Sequence, residues 1–125
     1  MAGTGASLIL EATGLNKSFG AVTAAKDLIG KGYKIIGGTV SSGIALKLAE
    51  QAAQNKVLYI SGPAATDAIQ GINKYTFRSG RQSYQDTLAA KEILGRGAGR
   101  KITVFAQDTA FGQGNVVAVR NVFGT

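Results

Sequence analysis

Short apolar runs alternate along this chain with longer segments of helical periodicity, and this alternation limits the possible folds more than any other feature. The runs that predict buried strands are residues 8–10, 33–36, 57–60 and 102–106, with a weaker run at 75–77. Strands that alternate with helices are typical of βαβ units. The sequence therefore predicts an α/β fold with a mainly parallel sheet and helices on both faces.

The segments between these runs predict four helices. Their apolar residues recur every three to four positions, as one face of a helix requires. Gly30 and Gly95 follow the first and third segments, where a helix often ends. The predicted helices cover residues 19–29, 44–53, 84–93 and 116–123.

Composition excludes several classes of function. The chain has no Cys and no His, so disulfides, histidine-based triads and imidazole zinc sites are ruled out. Its net charge of +7 results from 14 basic and 7 acidic residues. The basic residues are scattered, apart from a cluster at 96–101, and no stacking aromatic residues interleave with them. We therefore expect a solvated basic surface, no nucleic-acid partner, no metal or cofactor, and no catalysis. No run of about 18 apolar residues occurs, and the first residues lack the pattern of a signal peptide.

Ligands of parallel sheets bind beyond the carboxyl ends of the strands. The loops that follow the predicted strands are rich in Gly, Ser, Thr or Asp and cover residues 37–43, 61–67 and 107–114. In the first loop, Ser41 and Ser42 precede a helix, whose free amide groups and dipole favour an anion. The alternative is that one of these serines simply caps the helix.

The other two loops carry weaker signals. Ser61 and Thr66 offer hydrogen-bond donors beside small residues, although the same segment also fits an ordinary turn that contains a proline. Asp108 is expected to order the third loop, and Phe111 either faces a pocket or packs under the helix. A phosphate cradle is disfavoured because the glycines there lack the GxGxxG spacing.

Five segments, read in order, carry a family resemblance: AAKDLI, KIIGGTVSSGIALKLAE, NKVLYISGPAATDAI, NKYTFRSGRQSYQ and KITVFAQDTAFGQGN. Together they resemble the N-terminal lobe of type I periplasmic binding proteins, in particular the branched-chain amino-acid (Leu/Ile/Val) receptors of ABC transporters. The resemblance covers residues 20–123, and residues 1–19 form a divergent N-terminal segment. It implies that residues 1–125 are one Rossmann-like or flavodoxin-like lobe, a three-layer sandwich that lacks the family's first strand.

The resemblance also implies a function and a site. A small-molecule ligand, an amino acid or a related carboxylate, would be bound outside the cytoplasm and would reach the membrane only through a transporter. In the family, its carboxylate is held by a serine after the third strand and by backbone plus a threonine after the fourth. The turn at 109–111 would select the rest of the ligand. Carried over to this sequence, the site residues are Ser41, Ser42, Ser61, Ala64, Thr66, Thr109 and Phe111.

Two departures from the family raise an alternative. The first strand with its ligand-covering aromatic residue has no counterpart here, and the family's second lobe is missing. An absent interior strand leaves unpaired backbone groups on two strand edges, so we expect a homo-oligomer. The alternative function is therefore that of a truncated, engineered or rearranged fragment that self-associates and retains no ligand.

Overall fold

The computed structural model describes residues 18–95, 99 and 101–124. All four predicted helices and three of the predicted strands are confirmed within this part, whereas the strand predicted at 8–10 lies outside it. The elements in chain order are α1 (Ser18–Gly30), β1 (Ile35–Gly37), α2 (Ser42–Asn55), β2 (Leu58–Ser61), a 3₁₀ turn (Asp67–Ile69), β3 (Thr76–Arg78), α3 (Ser83–Leu94) and α4 (Ala110–Phe123).

The three strands form one parallel sheet in the order β1-β2-β3. Ile36 lies opposite Tyr59, and Ile60 lies opposite Phe77. Helix α2 connects the first two strands and ends at Asn55, and the C-cap residue Lys56 that follows has a left-handed φ of 54°. The predicted α/β class with a parallel sheet is thereby confirmed.

The core lies between α2 and one face of this sheet. Ala45 and Ala49 of α2 are completely buried, in the same cluster as Ile36 and Tyr59 of the strands and Ala25 of α1. Small side chains on α2 keep the helix close to the sheet. Burial of this apolar surface is the main stabilising contribution that the structure offers.

The opposite face of the sheet is apolar and exposed. Side chains alternate between the two faces of a strand, so Ile35, Ile60 and Phe77 point away from the core. They are 63%, 36% and 58% exposed. Helices α3 and α4 pack against each other instead, and α4 also contacts α2. Within the described residues, no helical layer covers these three side chains, although the pattern predicts helices on both faces.

The strand predicted at 102–106 is wrong. Residues 101–107 have no regular secondary structure and are exposed, and Phe105 is fully so. A strand is stabilised by pairing with a neighbour and by packing on its faces, and this segment has neither among the described residues. Its apolar character alone therefore does not make it a strand.

Within the described part of the chain, no helix combines the length and the apolar character that a membrane crossing needs.

Candidate functional site

A cavity of about 440 Å³ opens at the carboxyl end of the sheet. The loops after β1 and β2 are joined beneath it, since Gly38 N donates to Ile60 O and Ala64 N donates to Thr39 O, both at 3.1 Å. The residues that line it are Val40, Ser41, Ser42, Gly43, Pro63, Ala65, Arg81, Gln107, Thr109, Ala110 and Phe111. The predicted first and third loops and part of the second therefore meet at one cavity.

The start of α2 forms one wall and is not capped by a side chain. Ser41 occupies the N-cap position but makes no capping hydrogen bond and is exposed. Ser42 is only 2% exposed, and its Oγ has no hydrogen-bond partner in the described structure. The first amide groups of an α-helix have no acceptor within the helix. Because neither serine side chain bonds to these amide groups, the structure does not support the alternative that one of them simply caps α2.

The start of α4 forms the facing wall. Thr109 caps this helix, because its Oγ1 accepts a hydrogen bond from Gly112 N at 3.2 Å. Ala110 Cβ lies 3.9 Å from the position that a Cβ on Gly43 would take, so the first turns of α2 and α4 touch. Phe111 lines the cavity and is 41% exposed. Two helix starts and one aromatic ring thus face the same space.

Gly112 is required by a close approach of the backbone. A Cβ at this position would lie 2.0 Å from Gln107 O, a distance that no side chain tolerates. The segment before α4 therefore folds directly onto the first turn of that helix. Asp108 orders the same turn as expected, since its Oδ1 accepts from Gln113 Nε2 at 3.0 Å.

Three of the predicted site residues lie in the core instead of along the cavity. Ser61 and Ala64 are completely buried and Thr66 is 2% exposed, and the neighbours Pro63 and Ala65 line the cavity in their place. Thr66 Oγ1 accepts from Ala68 N at 3.3 Å and caps the 3₁₀ turn. These residues support the second loop from below.

Ser61 lies on the same side of β2 as Tyr59, and both hydroxyl groups lack a well-formed hydrogen bond in the described structure. Burial raises the pKa of Tyr59, and the nearby Ser61 hydroxyl and Thr39 backbone oppose that rise. The buried end of β2 therefore carries two polar hydroxyl groups whose hydrogen-bonding capacity is poorly met by the protein.

Arg78 holds the loops together and was not singled out from the sequence. Its guanidinium donates to the carbonyl of Ala64 at 3.3 Å and to the carbonyls of Thr66 and Arg81. Burial lowers the pKa of Arg78, and the charge of Asp67 opposes this shift. Arg78 thereby ties the loop after β2 to the loop after β3.

Arg81 is the one charged side chain that lines the cavity among the described residues. It forms an ion pair with Asp86, and the two side chains are 56% and 44% exposed. Its loop sits directly on the previous one, because a Cβ at Gly80 would lie 2.5 Å from Gly62 O. Arg81 was missed in the sequence because the apolar run of β3 before it is short. Had β3 been counted among the strands whose loops bind ligands, Arg81 would have been found, since the loop after each parallel strand opens at the same edge of the sheet.

Comparison with known proteins points to one family. The family model described as periplasmic binding protein matches residues 12–125. A Leu/Ile/Val-binding protein of Rhizobium johnstonii is 27% identical over 95 residues, which are 74% of this chain and 26% of that protein. A Leu/Ile/Val-binding protein homolog of Brucella melitensis is 28% identical over 96 residues, again 74% of this chain and 26% of that protein. The matched region thus spans about a quarter of the length of these curated relatives.

Two solved structures from Rhodopseudomonas palustris resemble the fold. An ABC-type branched-chain amino-acid transporter protein is 34% identical, with a TM-score of 0.62, over 86% of this chain and 30% of that one. A solute-binding protein in complex with 4-hydroxybenzoate superimposes with a TM-score of 0.75 over the same shares at 21% identity, a likeness of fold alone.

Proposed function

Because this chain belongs to the periplasmic binding protein family, we propose that it is part of an ABC-transporter solute-binding protein and that its cavity holds a small carboxylate. An amino acid or a related acid is the ligand class. The relatives named for Leu, Ile and Val and the structure that holds 4-hydroxybenzoate support this class, since both kinds of ligand carry a carboxylate on an apolar body. Family membership also supports a location outside the cytoplasm.

The observation that carries the proposal is the uncapped start of α2. Ser42 Oγ is buried without a partner, and Ser41 leaves the amide groups of the first turn without a side-chain acceptor. A buried polar group without a partner costs about 1–3 kcal/mol. A carboxylate at this position accepts from the free amide groups of the first turn and interacts favourably with the helix dipole.

The rest of the cavity suits the apolar part of such a ligand. Val40, Pro63, Ala65 and Phe111 present carbon surface around it. In the proposed role, Phe111 packs against the body of the ligand, and the turn at 109–111 sets which bodies fit. Ser61, Ala64 and Thr66 do not contact the ligand in this role. They are buried beneath the cavity and help to hold the second loop in place.

Titration calorimetry tests the proposal with leucine, phenylalanine and 4-hydroxybenzoate at millimolar concentration. We expect at least one of the three to bind. The double substitution of Ser41 and Ser42 by Ala is expected to lower the affinity for that ligand about tenfold, through the loss of hydrogen bonds to a charged group. Thr103→Ala, which removes an exposed hydroxyl outside the cavity, is the matched control. No heat and no thermal shift with any of the three acids contradicts the proposal.

A second function, self-association without a retained ligand, is favoured by the exposed apolar face of the sheet. Ile35, Ile60 and Phe77 expose carbon surface that a second copy could cover. Sedimentation velocity at micromolar concentration tests this candidate. We expect a dimer or larger species that Phe77→Ser dissociates, and a monodisperse monomer of the unsubstituted chain contradicts it.

A further inference from the structure

The cavity at the carboxyl end of the sheet is rich in hydrogen-bond donors. Ser42 Oγ is unpartnered and buried, and Ser41 makes no capping hydrogen bond. The first turn of α2 adds free amide groups and the positive end of its dipole. Arg81 adds a guanidinium, which donates hydrogen bonds and never accepts them. The lining therefore favours negative charge.

Six carbonyl groups of residues that line the same cavity each accept a hydrogen bond within the protein. Ala65 O accepts from both N and Oγ of Ser83, at 3.0 and 3.2 Å. The other engaged carbonyls are those of Ser41 with Ala45 N at 2.9 Å, Arg81 with Arg78, Gln107 with Thr109 N at 2.9 Å, Thr109 with Gln113 N at 2.9 Å, and Phe111 with Asn115 Nδ2 at 3.1 Å. These acceptors are already partly used, whereas the first amide groups of α2 have no side-chain acceptor.

No carboxylate lines the cavity in the part of the chain that the structure describes. Three acidic residues belong to the loops and helices around it, and each has one partner, although Asp67 Oδ1 is buried without one. Asp86 pairs with Arg81, Asp67 accepts from a backbone amide of α3 at 3.0 Å, and Asp108 accepts from Gln113. A cationic group in the cavity would meet no carboxylate among the described lining residues, and Asp86 is already paired with Arg81.

We propose that this cavity selects carboxylates that lack an ammonium group, such as aliphatic or aryl acids, over amino acids, with Arg81 as the specificity-determining residue. The inference rests on the proposed function and narrows its ligand class. The carboxylate meets the start of α2 and Arg81, and the apolar body lies against Phe111.

The physical reason is the cost of an unpaired ammonium group. An amino acid brings a positive charge next to its carboxylate, and in this cavity that charge loses water without gaining a counter-charge. It also lies near the positive start of α2 and near Arg81. The hydroxyl groups of Ser41 and Ser42 and the side-chain amide of Gln107 can accept hydrogen bonds from an ammonium group but bring no opposite charge.

Asp86 sets how strongly Arg81 attracts a ligand. Its carboxylate competes with the ligand for the same guanidinium, because the two side chains form an ion pair. The pair is about half exposed, so its contribution to folding stability is small. Replacement of Asp86 by Asn therefore frees Arg81 for a ligand without unfolding the chain.

Calorimetry with matched ligand pairs tests the inference on the full chain. The pairs are leucine with 4-methylpentanoate, and phenylalanine with 3-phenylpropanoate, and the members of each pair differ only by the ammonium group. We expect each acid to bind about tenfold or more tightly than its amino acid. Equal or tighter binding of the amino acids overturns the inference and leaves the proposed function standing, whereas binding of no member of either pair overturns both.

Two variants test the role of Arg81. Arg81→Gln is expected to lower the affinity for 3-phenylpropanoate about fivefold, because a charge that attracts the acid is lost. The ratio of this affinity to the affinity for phenylalanine is expected to fall as well, because the same charge repels the ammonium group. Asp86→Asn is expected to raise the affinity for 3-phenylpropanoate a few-fold. Arg120→Gln, which removes a positive charge at the far end of α4, is the control and is expected to leave both affinities unchanged. Equal losses for both ligands at an unchanged thermal midpoint overturn the assignment of Arg81.

Discussion

The two faces of the sheet are built from the same short strands and have opposite surroundings. On one face, Ile36 and Tyr59 are buried under the alanines of α2. On the other, Ile35, Ile60 and Phe77 are exposed. Both faces are apolar, as in strands that are covered on both sides. Hydropathy therefore shows that the strands suit burial, but the small residues of α2 decide which face is covered.

The largest expected effect compares an aromatic residue on each face. Tyr59→Ala is expected to destabilise the fold by about 3–5 kcal/mol, because it empties a completely buried position. Phe77→Ala, on the exposed face, is expected to cost less than about 1 kcal/mol. Urea denaturation followed by circular dichroism measures both. Similar losses for the two variants contradict the assignment of the core to one face.

The second prediction concerns the closeness of α2 to the sheet. Ala49→Leu is expected to destabilise by about 1–3 kcal/mol, since Ala49 is completely buried and the larger side chain forces the helix outwards. Ala89→Leu makes the same change on the exposed side of α3 and is expected to be nearly neutral. The same denaturation experiment applies, and a neutral result for Ala49→Leu means that the contact is loose.

A smaller effect is expected where the strands end. Arg78→Lys keeps the charge but removes the planar fork that reaches three carbonyl groups. We expect a loss of about 1–2 kcal/mol, with Arg120→Lys unchanged as the control. Hydrogen exchange of the loops at 61–67 and 79–82 provides a second measurement. Unaltered exchange rates there contradict the role of Arg78 in joining the loops.

The smallest effect at neutral pH concerns the Tyr59 hydroxyl. Burial raises the pKa of Tyr59 above its ordinary value of 10.0, so the folded state holds this proton more tightly than the unfolded state does. The resulting stability is full below pH 10 and declines as the pH rises from there towards the raised pKa. Because the buried hydroxyl lacks a well-formed hydrogen bond, Tyr59→Phe is expected to be at least as stable as the unsubstituted chain at pH 7 and to lose less stability in alkali, as denaturation at a series of pH values measures. Parallel curves contradict this.

Much of the fold was predictable because helical and strand periods are local properties of the sequence. The exception is residues 102–106, where β-branched and aromatic residues predict a strand but the described structure supplies no neighbour for it. Strand formation depends on a partner that the local sequence does not specify.

The site was predictable where it follows from chain topology. Ser41, Ser42, Thr109 and Phe111 reach the cavity because their loops lie at the carboxyl edge of the sheet or at the helix that faces it. Ser61 is buried because it shares the side of Tyr59 two residues earlier, an alternation that the sequence already contains. Arg81 required knowing that β3 is a true strand, which its three residues only weakly indicate.

Gly80 and Gly112 separate what sets the size of the cavity from what sets its lining, because both glycines allow close backbone contacts. At both positions the main chain rests on neighbouring main chain, so backbone contact limits the spacing of two walls, and Arg78 adds a side-chain clamp at one of them. Under the proposed function, substitutions at Val40, Pro63 or Phe111 alter which ligands bind while these backbone contacts remain. An engineer seeking a sensor for a new acid can vary these three positions and leave the two glycines untouched.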